Sequence, residues 1–161
     1  MTQVTIRKAS LNDLEILLGF EQQIINAERL LDHTIKPGEV HFYDIAAMIA
    51  APDVEIIVAE AGTQIIGSGF ARVKNSEGYY KHQNHAYLGF MYVVPDYRGK
   101  GINKMILEHL MQWCRSQNIT ELKLEVYNDN PRAIKAYEKA GFKKHFISMR
   151  LGLDEIDNAS I

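Results

Sequence analysis

The sequence has a single cysteine, Cys114, among its 161 residues, so it cannot form an internal disulfide. It also has little excess charge, because 18 Lys and Arg against 20 Asp and Glu leave a formal net charge of −2. Bulk attraction to nucleic acid or to an anionic membrane is therefore not expected. No apolar run approaches the roughly 18 residues of a membrane span, and the first residues form no apolar signal region. Together these features predict a cytoplasmic protein without nucleic-acid or membrane partners.

Metal-binding and nucleotide-binding motifs are also missing. There is no Cys/His cluster with metal-ligand spacing, and His82 and His85 alone do not make a zinc site. The Gly-x-x-x-x-Gly-Lys-Ser/Thr loop is absent, and Lys104 stands where Gly-x-Gly-x-x-Gly would need its third glycine. The sequence therefore predicts no metal and excludes the two best-known phosphate loops.

What is present is the composition of an ordinary globular domain, with 47% apolar and 24% charged residues. The length predicts a single domain that buries about two-thirds of its unfolded surface. We place this domain at residues 1–152, followed by a C-terminal tail at 153–161.

The spacing of apolar residues predicts alternating strands and helices. A strand, helix, strand crossover makes two strands parallel neighbours within an otherwise antiparallel sheet. The expected fold class is α+β, with an α/β/α sandwich-like arrangement and a parallel pair that splays apart to admit a ligand. The predicted strands are residues 4–7, 54–61, 65–74, 85–94, 122–127 and 142–151, and the predicted helices are 10–33, 41–51, 102–117 and 131–140.

The stretch from Val93 to Lys104 contains the most informative local pattern. A buried strand ends here, two glycines and two cations follow, and a helix begins at Ile102. Backbone N–H groups at such a helix N-terminus form an anion site suited to pyrophosphate. The alternative is an ordinary turn in which Arg98 and Lys100 are solvated surface cations.

Three segments then resemble the GNAT superfamily of acetyl-CoA-dependent N-acetyltransferases. Residues 91–95 with Arg98-Gly99-Lys100-Gly101 are similar to the family's Gln/Arg-x-x-Gly-x-Gly/Ala phosphate motif. Leu124-Glu125-Val126, followed by Asn130, is similar to a second motif. Residues 133–142 are similar to its Tyr-Glu-x-x-Gly-Phe helix end. The resemblance is strongest over residues 87–142, and the first half matches only in element order, so the acceptor is not identified.

The resemblance implies acetyl-CoA as co-substrate and assigns it a binding surface. Backbone groups of Met91, Tyr92 and Val93, at a bulge of the fourth strand, are expected to polarise the thioester carbonyl. Asn130 is expected to contact the pantetheine arm, although it could equally be a plain helix cap. Asn103 departs from the family, which has Gly or Ala there. The residues expected around the pyrophosphate are Arg98, Gly99, Lys100, Gly101, Ile102, Asn103 and Lys104.

For catalysis the resemblance assigns Tyr137 as the general acid that protonates the departing thiolate, with a core aromatic as the alternative. Glu125 matches a glutamate that serves as base in some members. A water held by Tyr87, His85 or Tyr92 is the alternative base. A covalent intermediate on Cys114 is disfavoured, because this thiol lies on the packing stripe of a helix.

The expected function is transfer of the acetyl group to a primary amine by direct attack in a ternary complex. The alternatives are a non-catalytic acyl-CoA-binding module, or an enzyme for a polyamine or amino sugar rather than a protein or peptide. Residues 41–51 and the loop before them are expected to form the acceptor side. The resemblance is also compatible with a homodimer, because exposed last strands of this fold often pair.

Overall fold

The computed structural model describes residues 2–159, and side chains through residue 156. It divides into two compact units, Met1–Asn130 and Pro131–Ile161, and each is described by itself. Within residues 2–159, no helix has the length and apolar character that crossing a membrane requires.

The first unit is built on a five-stranded sheet in the order β1-β2-β3-β4-β5. Strands β1 to β4 are antiparallel neighbours, and β5 runs parallel to β4. The predicted mixed sheet with one parallel pair is therefore confirmed. The strands are β1 Val4–Lys8, β2 Val54–Ala61, β3 Gln64–Asn75, β4 Asn84–Val93 and β5 Leu122–Lys123.

Strand β5 is much shorter than the predicted strand at 122–127. Its pairing with β4 consists of Ala86–Leu122 and Tyr87–Lys123. Alternation of apolar and polar residues indicates which side chains a strand would bury. A strand forms, however, only where a neighbouring backbone lies within hydrogen-bonding distance. The two strands diverge after Tyr87, so the last six residues of β4 extend beyond this parallel ladder.

Two helices of this unit precede the β2–β3 hairpin, α1 at Leu14–Arg29 and α2 at Ile45–Ala50. The predicted helix from residue 10 begins as a 3₁₀ turn, where the Ser10 N–H donates to the Asp13 carboxylate at 2.8 Å in a capping box. The prediction of a helix at 41–51 was wrong for its first turn. Asp44 caps α2 by accepting from the Ala47 N–H at 3.1 Å, while a tertiary contact described below holds residues 42 and 43 outside the helix.

The third helix, α3 at Ile102–Ser116, covers the face of the sheet opposite Phe70. Gly67 and Gly69 of β3 permit its close approach. A Cβ on Gly69 would lie 2.7 Å from Cγ2 of Ile106. Asn118 adopts a left-handed conformation after the helix, with φ of 59°. The sheet therefore lies between α3 and the α1–α2 pair, which confirms the sandwich-like prediction.

The second unit contains α4 at Pro131–Lys139 and α5 at Leu153–Ala159. Gly141, two residues after the end of α4, has φ of 107°, the left-handed conformation that a glycine adopts after a helix. The expected strand at 142–151 is wrong, because the structure assigns no strand to these residues. Phe146 and Ile147 are exposed there. Helix α5 lies within the segment expected to be a C-terminal tail, 153–161, and residues 160 and 161 lie outside the described residues.

Candidate active site

A β-bulge interrupts β4 close to its end. Ser68 pairs with Tyr92 and Phe70 pairs with Gly89, so Gly69 of β3 faces two residues, Phe90 and Met91. Phe90 has a φ of 57°, a left-handed conformation that a bulky residue rarely adopts. Bulges of this kind re-aim the backbone of the bulged strand. This one lies next to Met91, Tyr92 and Val93, which were expected to polarise the thioester carbonyl.

The same three residues belong to the part of β4 that extends past its ladder with β5, and they are half-buried. The backbone edge of a strand presents N–H and C=O groups in a row. This edge therefore offers an extended molecule a line of backbone hydrogen-bonding groups beside a bulge. A pantetheine arm, with its two amides, has the matching chemistry.

The loop after β4 has the geometry of an anion cradle. Gly99 and Gly101 have φ of 75° and 81°. Gly101 is the N-cap of α3, and its carbonyl accepts the first helical hydrogen bond from Met105 at 3.2 Å. The N–H groups of the first helical turn have no intrahelical acceptor and carry the positive end of the helix dipole. These groups suit a pyrophosphate.

The two cations of the loop lie over aromatic rings. The Arg98 Nε donates to the Val93 carbonyl at 2.8 Å, and its guanidinium carbon lies 5.6 Å from the Tyr92 ring centroid. Lys100 Nζ lies 5.1 Å from the ring of Tyr97. A guanidinium has four N–H groups besides Nε. Arg98 can therefore hold the loop against β4 and still donate to a phosphate.

Asn103, where the family has Gly or Ala, is half-buried in the first turn of α3. We expect Asn103→Gly to keep or improve acetyl-CoA affinity, because the backbone N–H is retained and a side chain beside the pyrophosphate is removed. Isothermal calorimetry with acetyl-CoA measures this. A tenfold loss, about 1.4 kcal/mol, would mean that the Asn103 side chain makes a favourable contact.

The remaining predicted residues of the first unit lie after β5. Glu125 is exposed, and Asn130 is half-buried, with its N–H donating to the Tyr127 carbonyl at 3.0 Å. Helix α4 begins at the next residue, Pro131, as predicted. The role of Glu125 as base and the role of Asn130 at the pantetheine arm stay predictions.

Tyr137 lies in the second unit, on α4. The Phe142 N–H donates to the Tyr137 backbone carbonyl at 3.0 Å, and the Gly141 N–H donates to the Glu138 backbone carbonyl at 3.0 Å. This pair of hydrogen bonds is a Schellman motif. The rings of Tyr137 and Phe142, with centroids 5.9 Å apart, make its apolar contact. Burial raises the pKa of the Tyr137 phenol. The phenol therefore retains its proton at neutral pH.

The residues expected to hold a relay water are engaged in other contacts. The Nδ1 atom of His85 lies 2.8 Å from the Ser76 hydroxyl, and burial lowers the pKa of His85. The Tyr92 ring packs on Phe20, with centroids 4.7 Å apart. Tyr87 packs on Phe70 at 6.4 Å. None of these contacts identifies the general base, so its identity stays a prediction.

Cys114 is fully buried, and burial raises the pKa of its thiol to about 11. A thiol in this state is a poor nucleophile at neutral pH. This supports the expectation that acetyl transfer does not pass through Cys114. Within the part of the chain that the structure describes, no three His, Cys, Asp or Glu residues are grouped to hold a metal ion.

One set of contacts was not predicted. Glu21 of α1 is fully buried, and its Oε2 accepts the N–H groups of Phe42 and Tyr43, each at 2.9 Å. Its Oε1 lies 2.7 Å from Nδ1 of His41. A signal was available, because Glu21 falls on the apolar stripe of α1 between Leu17 and Ile25. A carboxylate at such a position needs hydrogen-bond partners.

This contact predicts a pH dependence of stability. The hydrogen bond to Glu21, with a smaller contribution from Glu39, raises the pKa of His41. The His41–Glu21 contact stabilises the folded state fully below the pKa of His41 in the unfolded chain, about 6.5. This stabilisation is lost as pH rises through the higher pKa of His41 in the folded protein. We expect His41→Gln to flatten this part of the curve of unfolding free energy against pH. Urea melts at several pH values measure it, with His33→Gln as the control. An unchanged slope in His41→Gln would contradict the prediction.

Comparison with known proteins agrees with these features. Residues 22–142 match the model of the acetyltransferase (GNAT) family. The chain is 28% identical over 152 residues to thialysine N-epsilon-acetyltransferase of Bos taurus, covering 88% of this chain and 85% of the relative.

Solved structures show the same fold. A predicted acetyltransferase from Clostridium acetobutylicum, solved with acetyl-CoA, is 24% identical, with a TM-score of 0.69 over 95% of this chain and 98% of that one. An aminoglycoside N-acetyltransferase in complex with CoA is 18% identical, with a TM-score of 0.77 over 94% and 95% of the two chains.

Proposed function

Because the chain belongs to the GNAT family of acetyltransferases, which makes it an acetyl-CoA-dependent acyltransferase, we propose that it acetylates a primary amine by direct attack. One observation carries the proposal. The part of β4 that extends past its ladder with β5, with its bulge at Phe90, leads through a 3₁₀ turn at Pro95–Tyr97 into a two-glycine loop at the N-terminus of α3. This arrangement joins a slot for an extended arm to a cradle for pyrophosphate.

The proposed division of labour follows from what each group can do. Backbone N–H groups of the α3 N-terminus, with Arg98 and Lys100, bind the phosphates. Backbone groups at Met91, Tyr92 and Val93 bind the arm and polarise the acetyl carbonyl. Asn130 contacts the pantetheine. The preorganised backbone dipoles of the bulge stabilise the negative charge that develops on the thioester carbonyl oxygen during attack.

Two proton transfers complete the reaction. A neutral amine attacks the thioester carbonyl, the C–N bond forms, and the C–S bond breaks. The sulfur takes a proton from the Tyr137 hydroxyl, which is protonated at neutral pH. The amine gives up a proton to a base, for which Glu125 or a bound water is the candidate. The net change is an amide and free CoA thiol.

The acceptor is proposed to be a small amine. The relative that is 28% identical over most of both chains carries the name of a thialysine Nε-acetyltransferase, and thialysine is a small amino acid with a primary side-chain amine. A polyamine or an amino sugar belongs to the same chemical class. A protein or peptide amine is the competing acceptor.

A screen of amines with CoA thiol release as the readout tests both parts. The panel contains thialysine, lysine, a polyamine, an amino sugar and peptides with free N-termini. We expect turnover above the no-amine background with at least one small amine. Turnover with peptides alone would reassign the acceptor. No turnover with any amine, together with tight acetyl-CoA binding, would favour a binding module.

A further inference from the structure

The backbone of the bulge residue Phe90 interacts with two side-chain hydroxyls. Its carbonyl accepts from the buried hydroxyl of Ser68 at 2.9 Å. Its backbone also interacts with the hydroxyl of Tyr43. A bulge interrupts the regular pairing of a ladder, and these hydroxyls contact the backbone at that interruption.

Tyr43 is itself held in place by its ring contacts. The ring packs edge-on against Phe70 and Phe90, with centroids 5.3 and 5.5 Å apart. A Cβ on Gly89 would lie 3.6 Å from the Tyr43 hydroxyl oxygen, so the phenol tip lies beside the backbone just before the bulge. The same Cβ would lie 2.8 Å from the Phe70 ring, so a residue with a side chain at position 89 would displace the ring on which Tyr43 packs.

The backbone that carries Tyr43 is fixed by Glu21. One buried carboxylate oxygen accepts the N–H groups of Phe42 and Tyr43, and the other contacts His41. A carboxylate with several such partners is costly to displace, because loss of the contacts would leave a buried charge unpaired. Glu21 therefore sets the position from which Tyr43 reaches β4.

We propose that Tyr43 and Ser68 are positioning residues that hold the Phe90 bulge for acetyl transfer, and that Glu21 acts through Tyr43. This rests on the proposed function, in which the backbone after the bulge polarises the carbonyl. Tyr43 and Ser68 shape that backbone and do not themselves touch the reacting atoms. Residues 41–43, which belong to the expected acceptor side, are thereby connected to the bulge, because Glu21 fixes their backbone and Tyr43 contacts Phe90.

Amide hydrogen exchange tests the hold of Tyr43 on the Phe90 bulge, here called the clamp, and it does not depend on turnover. In the unliganded protein we expect Tyr43→Phe to speed exchange at Phe90 by about tenfold or more, while amides of β2 stay unchanged. Tyr79→Phe is the matched control, because Tyr79 is an exposed tyrosine in the loop between β3 and β4. Unchanged exchange at Phe90 in Tyr43→Phe would overturn the clamp.

Kinetics with the best amine of the screen tests the link to catalysis. We expect Tyr43→Phe to lower kcat by about tenfold to a hundredfold, as misplaced catalytic groups do, with the KM for acetyl-CoA within about twofold of wild type. A kcat within about twofold of wild type, or a loss that only follows the folded fraction in a thermal melt, would overturn it. Should the wild type turn over no amine, the proposed function fails and the exchange experiment still decides the clamp.

The role of Glu21 is tested by a pair of variants. Glu21→Gln keeps an oxygen for the two N–H groups and an amide for neutral His41, so we expect near wild-type exchange at Phe90 and near wild-type kcat. Glu21→Met removes these partners, and the double variant with Tyr43→Phe should lose no more than the larger single loss. Additive losses would show that Glu21 does not act through Tyr43. If Glu21→Met does not fold, a large kcat loss in folded Glu21→Gln overturns the link and a small one supports it.

Discussion

Tyr137→Phe is expected to lower kcat by about 10² to 10⁴-fold, or roughly 3–5 kcal/mol of barrier. The substitution removes the hydroxyl proposed to protonate the departing thiolate and keeps the ring. The ring matters locally, because it makes the Schellman contact with Phe142 at the end of α4. The loss should appear in kcat and leave acetyl-CoA affinity little changed, because the proton moves only as the C–S bond breaks.

Three outcomes can be separated by kinetics beside a thermal melt. A general acid gives a large kcat loss at an unchanged melting temperature. A buried structural hydrogen bond gives a stability loss of about 1 kcal/mol, with activity following the folded fraction. Wild-type kcat across pH 6 to 9, with chemistry shown to be rate-limiting, would rule out the acid role. Tyr127→Phe, a tyrosine of the first unit without an assigned role, is the control.

Gly101→Glu is expected to weaken acetyl-CoA binding beyond detection, by more than about a hundredfold or 2.7 kcal/mol. Gly101 has φ of 81° and is the N-cap of α3. A glutamate there places a negative charge among the N–H groups proposed to bind pyrophosphate. It also forces a side chain into a left-handed conformation that costs roughly 1–2 kcal/mol. Charge and strain act together, so calorimetry should detect no heat of binding.

Two further variants separate these causes. Gly101→Ala introduces the strain without the charge and should lose less affinity than Gly101→Glu. Gly38→Glu adds the same charge at another left-handed glycine, φ 83°, where a Cβ meets open space, and it should bind acetyl-CoA like wild type. Unchanged affinity in folded Gly101→Glu would remove the loop from the site.

Much of the fold could be predicted because it depends on local pattern. The hairpin of β2 and β3, the stripe of α3, and the glycines at 99, 101 and 141 are each specified by residues close in sequence. The same locality made the phosphate loop recognisable, since its cradle is one strand end, one turn and one helix start. The predicted helix at 41–51 was wrong in its first turn because Glu21, about twenty residues earlier, binds the N–H groups of Phe42 and Tyr43.

The sequence by itself determined the family, the sheet with its parallel pair, and the loop between β4 and α3, because periodicity, glycines and short motifs are properties of neighbouring residues. The tertiary structure alone decided how far β5 pairs and which side chains contact Phe90. Those features depend on which distant backbones come into hydrogen-bonding reach. Ser68 and Phe90 lie 22 residues apart, and no local pattern in the sequence reports that Tyr43 and Ser68 meet at one residue of β4.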